Sequence, residues 1–406
     1  MRQQQPQRAR PLPPGGQCYH LAMSHRGMGA VEQVGVDMSR FRAFPYRGSL
    51  LRKIDGHVQE VFHEPISAKV LVERMELVRH IVDEAQRLVP ERITFHWQLA
   101  CKEVDLARQT ATFSGPDGAL HELRYDLLVG ADGVNSRVRD AMAQQVPGFR
   151  QRWSGRMHRI DKFFHHVQPP PGSALQTPSS ELDASATVLR FYYVDSPPPL
   201  TVGLFFIHNH ADGTYSGGVS FTRADESEVG VGVGSGGSLR TAADFEAALG
   251  GLTMYPQEMR AAIAEQLAAR PWYTSGSTLQ VSRLTGPRVV LIGDAAHAVS
   301  AAFGQGVNSA LEDCTVLAEA LAGAAGDVDA ALRHYERRRR PDAHALGTMD
   351  HQAEAFAGFR GKWNLSYWVF QTHMLVNGWL HRLLPGRFGD PGLGPLYVAS
   401  YGCDER

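Results

Sequence analysis

Apolar positions along this chain switch between two spacings, and the switches mark out its elements. Val289-Val290-Leu291-Ile292 is a continuous apolar run of strand length, broken by Gly293 with Asp294 directly behind it. Such a run, bounded by a breaker, reads as a buried strand. The Gly-rich stretch Gly304-Gln305-Gly306 follows, and then Ala310, Cys314, Leu317 and Leu321 recur at helical spacing, predicting one apolar helix face. The segment Tyr125-Asp126-Leu127-Leu128-Val129-Gly130-Ala131-Asp132-Gly133 repeats the theme: a buried strand, a turn with an acid, and a helix opening near Ser136. Between 71 and 88, Leu77, Ile81, Ala85 and Leu88 predict an amphipathic helix, and Ile93 to Leu99 reads as a strand. Ala111-Thr112-Phe113 and His121 to Arg124 flank Gly115-Pro116-Asp117-Gly118, a hairpin signal. The middle third is β-rich, with runs at Val188 to Tyr193, Thr201 to Ile207 and Gly217 to Phe221 separated by Pro and Gly loops. Glu336-Arg337-Arg338-Arg339-Arg340-Pro341 reads as the end of a long helix, its basic last turn solvated and complementing the helix dipole.

The order of these elements predicts an α/β protein. A Rossmann-like nucleotide-binding domain is expected in two pieces, 16–150 and 280–345, around an inserted β-rich substrate domain at 151–279. A tail at 1–15 is expected to be disordered, and 346–406 to form a helical carboxyl-terminal region. At 406 residues the chain has room for one large or two ordinary cores.

Composition removes several function classes. A net charge of -1 gives no electrostatic case for nucleic acid. Cys18, Cys101, Cys314 and Cys403 have neither disulfide nor zinc spacing, which fits a reducing compartment, and no histidine pair has metal-ligand spacing. No metal is expected. Met1 to Gly16 is rich in Gln, Pro and Arg and lacks an apolar stretch, so it is not a secretory signal. Gly232-x-Gly234-x-x-Gly237 matches a dinucleotide fingerprint formally, but no apolar strand enters it, so it reads as a loop. Trp363 to Leu384 is aromatic-rich yet broken by Asn, Gln, His and Arg, which suits a core or interfacial helix better than a span.

Chemistry concentrates at the two strand ends. Ligands of open α/β sheets bind outside the carboxyl ends of strands, where Asp294 could hold a sugar hydroxyl. The helix after it would point its amino end, with unpaired N–H groups, at an anionic ligand. On Gly-Asp alone, Asp294 reads first as a helix cap. The longer string, Gly293-Asp294-Ala295-Ala296-His297 through Gly304-Gln305-Gly306-Val307-Asn308, resembles the FAD-ribityl motif of the flavoprotein aromatic hydroxylases. The Gly130-Ala131-Asp132-Gly133 turn resembles a second motif of that family, linked there to FAD and NADPH use.

Within the family, the likeness is strongest to the kynurenine 3-monooxygenases. It runs through His20-Leu21-Ala22-Met23-Ser24-His25-Arg26-Gly27, Leu291 to Cys314, Arg340-Pro341-Asp342-Ala343-His344-Ala345 and Pro395-Leu396-Tyr397, and is weakest from 150 to 280. The resemblance implies FAD as cofactor, NADPH as co-substrate, O2 as oxidant and an aromatic amino acid, L-kynurenine, as the molecule hydroxylated. It assigns Arg74, Asp132, Gly293, Asp294, Gln305, Gly306 and Asn308 to the cofactor, and Arg47, Phe303 and Tyr397 to the substrate. The chemistry is flavin-borne, so no side chain is assigned a catalytic role. The resemblance also implies peripheral membrane association through the carboxyl-terminal region, at the mitochondrial outer membrane in eukaryotic members.

Four departures stand against this likeness. Phe62 stands where the family has a substrate-binding Tyr, Ala301-Ala302 replaces Pro-Phe before Phe303, and Ala353 stands in place of an Asn. The family's opening strand and Gly-x-Gly-x-x-Gly turn have no counterpart before Cys18, so the nucleotide-binding domain is expected to be incomplete at its amino terminus. A strand missing there would leave neighbouring backbone groups unpaired. A flavin hydroxylase of another aromatic acid, and a remnant that holds no FAD, are the alternatives.

Overall fold

A computed structural model describes residues 19–40, 44–53, 58–61, 70–154, 158–173, 187–194, 201–209, 213–223, 240–250, 252, 255–271, 273–275, 278–300 and 304–357. Two compact units divide them: Met1–Thr94 with His158–Ser275, and Phe95–Met157 with Gly276–Arg406.

The first unit is built on a nine-stranded sheet of described strands. Its main path runs His20–Met23, Val70–Glu73, Phe44–Lys53, Thr187–Val194, Thr201–Asn209, Thr214–Arg223, His158–Val167 and Tyr273–Ser275. All these pairings are antiparallel except Phe44–Lys53 with Thr187–Val194, where Leu51 lies opposite Phe191. Helices Ala242–Leu249 and Gln257–Ala269 close a core of Phe164, Tyr215, Val219, Phe245, Met259 and Ile263. A capping box sets the start of the first of these: Thr241 accepts the Asp244 N–H and Asp244 accepts the Thr241 N–H at 2.7 Å. The three strands expected in the middle third form, as Thr187–Val194, Thr201–Asn209 and Thr214–Arg223. The grouping departs from the expected boundaries, because residues before 95 join this sheet and not the 95–150 segment. The cause is the ladder itself: one parallel pairing welds Phe44–Lys53 to Thr187–Val194.

The second unit carries both acid-bearing turns. Leu128–Gly130 and Val289–Leu291 lie side by side in parallel, with Leu291 opposite Gly130, and Thr285–Gly286 completes that sheet. Val289, Val290 and Leu291 are wholly buried, as a continuous apolar run requires. Leu128–Gly130 is an edge strand whose Val129 is 39% exposed, so the expectation of full burial there is corrected. Gly130 allows a close approach: a Cβ at this position would fall 2.8 Å from Val138 Cβ and 2.9 Å from a Leu291 methyl. Helix Arg137–Gln145 starts where expected, with Ser136 accepting the Arg139 N–H at 2.9 Å.

Further sequence expectations are corrected in this unit or at its border. Ile93 to Leu99 is irregular, and the strand begins at Ala100, pairing Ala100–Asp105 with Thr110–Ser114. Phe95 and Trp97 stack on each other at 5.5 Å, and Trp97 stays 47% exposed, so the alternation found no ladder or core. The hairpin Thr110–Ser114 to Leu120–Arg124 forms as expected. The basic run does not end a helix. Val328–Ala357 runs through Pro341 without a break, so no boundary falls at 346. Helix Gly306–Gly323 turns Asn308, Ser309, Asp313, Val316, Leu317 and Ala320 inward and leaves Cys314 exposed. Its buried face is thus rotated from the predicted one and carries polar groups. The Gly232–Gly237 run, Trp363–Leu384 and the tail before 19 lie outside the described residues.

Candidate functional site

Two parallel strands that end level present their turns together. The Ile292 N–H donates to Gly130 O at 3.0 Å, so the chain leaves both strands in step. After one strand comes Asp132, exposed, whose Oδ2 accepts the Arg137 and Val138 N–H groups at 2.7 and 3.2 Å. That carboxylate therefore also ties its turn to the start of helix Arg137–Gln145. After the other strand comes Gly293 at φ 57° and ψ -143°, a conformation closed to L side chains. A Cβ on it would also meet Ala310 Cβ at 3.2 Å. Asp294 follows, exposed, ahead of buried Ala295, Ala296 and His297. The glycine thus turns the chain so that an acid comes out of an otherwise buried turn.

Arg139 joins the two turns. Its guanidinium donates to Val134 O at 2.7 Å and to Ala295 O at 3.1 Å, and its Nε donates to Gln151 at 3.0 Å. It is only 3% exposed and lies over the Trp153 ring at 5.3 Å. Its rigid planar fork can hold two carbonyls from separate turns at once.

The second half of the site is the start of helix Gly306–Gly323. Gly304 has φ 60°, Gln305 is the cap residue, and buried Asn308 closes the turn by donating to Gly304 O at 3.1 Å. No acid stands in this helix's own first turn, so no carboxylate from that turn offsets its dipole.

Beneath both lies a buried charged cluster. Asp313 Oδ2 accepts the Gly293 N–H at 2.8 Å and bonds His297 Nε2 at 2.6 Å, and its Oδ1 accepts from Arg339 Nε at 2.8 Å. Arg339 is 2% exposed, yet all five of its N–H groups have acceptors, including Glu312, Asp342 and Ser309. Burial pushes the Asp313 carboxyl up, but His297 and Arg339 outweigh it and hold the group below the usual carboxylate range. Burial likewise pushes His297 down, and the adjacent Asp313 carboxylate reverses that and holds it protonated above its usual value. A second buried carboxylate, Asp350, accepts the Ser300 N–H at 2.7 Å and also bonds the Ser300 and Thr278 hydroxyls.

Of the cofactor residues expected from sequence, Asp132, Gly293, Asp294, Gln305, Gly306 and Asn308 all fall in this unit. Arg74 opens helix Arg74–Leu88 in the other unit, over the Tyr19 ring at 5.5 Å. Arg47 lies in strand Phe44–Lys53. Phe303 and Tyr397 lie outside the described residues. Sequence reasoning missed Arg139, Asp313, Arg339 and Asp350. Asp313 fell within the family-like stretch Leu291 to Cys314 but was given no role, although it lies on a face that carries Val316 and Leu317 further on.

The residues present suit FAD. A glycine-framed turn at the carboxyl end of a parallel strand offers a carboxylate to polyol hydroxyls, and a helix amino end without a local acid suits an anionic ring or phosphate. Among the described residues no His, Cys, Asp and Glu cluster could hold a metal ion, and no helix is long and apolar enough to cross a membrane.

Comparison with known proteins gives this geometry its class. The family model for the FAD binding domain matches residues 17–169 and 262–349, more than half of the chain. The chain belongs to that family, and with it to the FAD-dependent aromatic monooxygenases. It is 27% identical over 344 residues to kynurenine 3-monooxygenase of Stenotrophomonas maltophilia (strain K279a), spanning 82% of this chain and 68% of that one. It is 29% identical over 328 residues to violacein synthase of Chromobacterium violaceum, spanning 77% of this chain and 67% of that one. The tetrameric form of 2-methyl-3-hydroxypyridine-5-carboxylic acid oxygenase shares the fold, with a TM-score of 0.61 at 19% identity over 86% of this chain and 84% of that one.

Proposed function

We propose that this chain binds FAD at the paired turns, uses NADPH to reduce it, and hydroxylates L-kynurenine or a closely related aromatic amino acid with O2. The observation that carries the flavin part is the side-by-side placement of the Asp132 and Asp294 turns beside the amino end of helix Gly306–Gly323. FAD, when bound, supplies the redox and O2 chemistry that no side chain can. The chain's own residues bind and orient: Asp294 takes a ribityl hydroxyl, the Gly304-Gln305-Gly306 turn and Asn308 frame the ring, and Arg139 keeps the two turns aligned. For the substrate, Arg47 is assigned to the carboxylate, which a guanidinium holds in a bidentate fork. Kynurenine is supported by the sequence motifs and by several kynurenine 3-monooxygenases among the relatives.

The competing reading is hydroxylation of another aromatic acid. It is favoured by Phe62, Ala301-Ala302 and Ala353, which change polar or bulky pocket positions, and by a violacein synthase among the relatives.

One preparation tests both. The purified chain, supplied with FAD, should turn yellow and quench flavin fluorescence. With NADPH and kynurenine it should then form 3-hydroxykynurenine. A folded chain that binds no FAD overturns the flavin proposal. Flavin binding with kynurenine-stimulated NADPH oxidation but no 3-hydroxykynurenine overturns the substrate and leaves the flavin site standing.

A further inference from the structure

We propose that Asp313 is the positioning residue of the turn that carries Asp294, holding it through the Gly293 N–H while His297 and Arg339 lock its own carboxylate. The inference rests on the flavin reading of Asp294 and adds residues to which no role has been assigned.

The geometry separates two jobs on one side chain. Oδ2 of Asp313 accepts the Gly293 N–H at 2.8 Å and takes His297 Nε2 at 2.6 Å, so one oxygen holds both ends of the four-residue helix Asp294–His297. Oδ1 takes Arg339 Nε at 2.8 Å, which fixes the carboxylate plane. Gly293 sits at φ 57°, ψ -143°, a conformation that a lone glycine would leave readily, so something must hold it. The held N–H belongs to the residue before Asp294, and rotation about that peptide would swing the Asp294 carboxylate away from the strand end. A bond from a rigid helix therefore fixes the carboxylate direction at one residue's remove.

Arg339 is the anchor. Its five donors reach Asp313, Glu312, Asp342 and the Ser309 carbonyl and hydroxyl, so it cannot turn without breaking several charge-assisted bonds. Glu312, Asp313 and Ser309 lie on helix Gly306–Gly323, while Arg339 and Asp342 lie on helix Val328–Ala357. The turn is thereby referenced to two helices and not to its own loop. Such a cluster contributes little net stability for its size, since burying these charges costs about what their attraction returns. Orientation is the function that explains it.

The test uses the full chain and three single variants. Asp313→Asn keeps shape but loses the charge, His297→Gln removes one lock, and Glu336→Gln removes a comparable carboxylate that accepts the Leu284 N–H at 2.7 Å away from the turn. Hydrogen exchange of the 293–297 amides is read without flavin, and FAD affinity by fluorescence quenching. Asp313→Asn should speed exchange locally and weaken FAD by about tenfold or more, the effect of losing one charged contact. Glu336→Gln should lower the melting temperature and leave FAD affinity within about twofold. Adding Asp313→Asn to Asp294→Ala should weaken FAD by no more than about twofold further, because one acts through the other.

Wild-type exchange and affinity in a folded Asp313→Asn protein overturn the proposal, as does full additivity with Asp294→Ala. If Asp313→Asn fails to fold, His297→Gln is read the same way, and unchanged exchange at 293–297 overturns the proposal. If the wild type binds no FAD, the functional reading fails, and the exchange measurement alone decides whether Asp313 holds the turn.

Discussion

At Gly293 the backbone, not the side chain, carries the argument. Its φ of 57° with ψ -143° is strained for any L residue, and a methyl would press on Ala310 Cβ. Gly293→Ala should destabilise the protein by about 1–3 kcal/mol, read as a lower urea midpoint; a wild-type midpoint would contradict the conformation. His297 gives the second residue-scale prediction. The charged groups that act on it are Asp313 and Arg339. Its folded pKa is raised above the ordinary 6.5, so its stabilisation is complete below about that pH and is lost as pH rises through the folded value. Asp313 is shifted down, so its share is complete above about 3.8 and is lost on further acidification. The stability gap between wild type and His297→Gln should therefore be widest near pH 6 and shrink in alkali, measured as urea midpoints across pH. A gap that grows with pH would show that the imidazole is buried neutral.

Elements show which local signals could be trusted. The hairpin at 110–124 and the strand–acid turns were legible because their determinants lie within a few residues: alternation, glycine, and a short polar side chain. Ile93 to Leu99 alternates too, yet forms no strand, since a ladder needs a partner that local sequence does not supply. The arginine run misled for a similar reason. Four adjacent arginines look solvated, but helical phase sends one of them, Arg339, into the core while Arg338 and Arg340 stay exposed. Pro341 looked like a terminus, and helix Val328–Ala357 runs through it. Helix and strand meet closely at Gly130, where a Cβ would lie within 3 Å of Val138 and Leu291. Gly130→Ala should cost about 1–3 kcal/mol through overpacking, checked by calorimetry; a neutral effect would mean that helix Arg137–Gln145 can move off its strand.

For the molecule as a whole, Asp294 in one unit and Arg47 in the other predict separable losses. Arg47→Ala should raise the KM for the aromatic substrate well above tenfold and leave FAD affinity unchanged. Asp294→Ala should weaken FAD first, read by fluorescence quenching without turnover. A variant that shifts both together would place Arg47 at the flavin.

What the sequence determined by itself was the pair of acid-bearing turns, because a strand, a glycine and a carboxylate are contiguous and their chemistry is local. The tertiary structure alone decided how those turns are held. His297 and Arg339 lie 16 and 26 residues from Asp313, and nothing in the chain pairs them until two helices pack on the strand ends. The physical reason is that a buried charge is tolerated only where its partners already stand, and that condition is set by packing and not by neighbours along the chain.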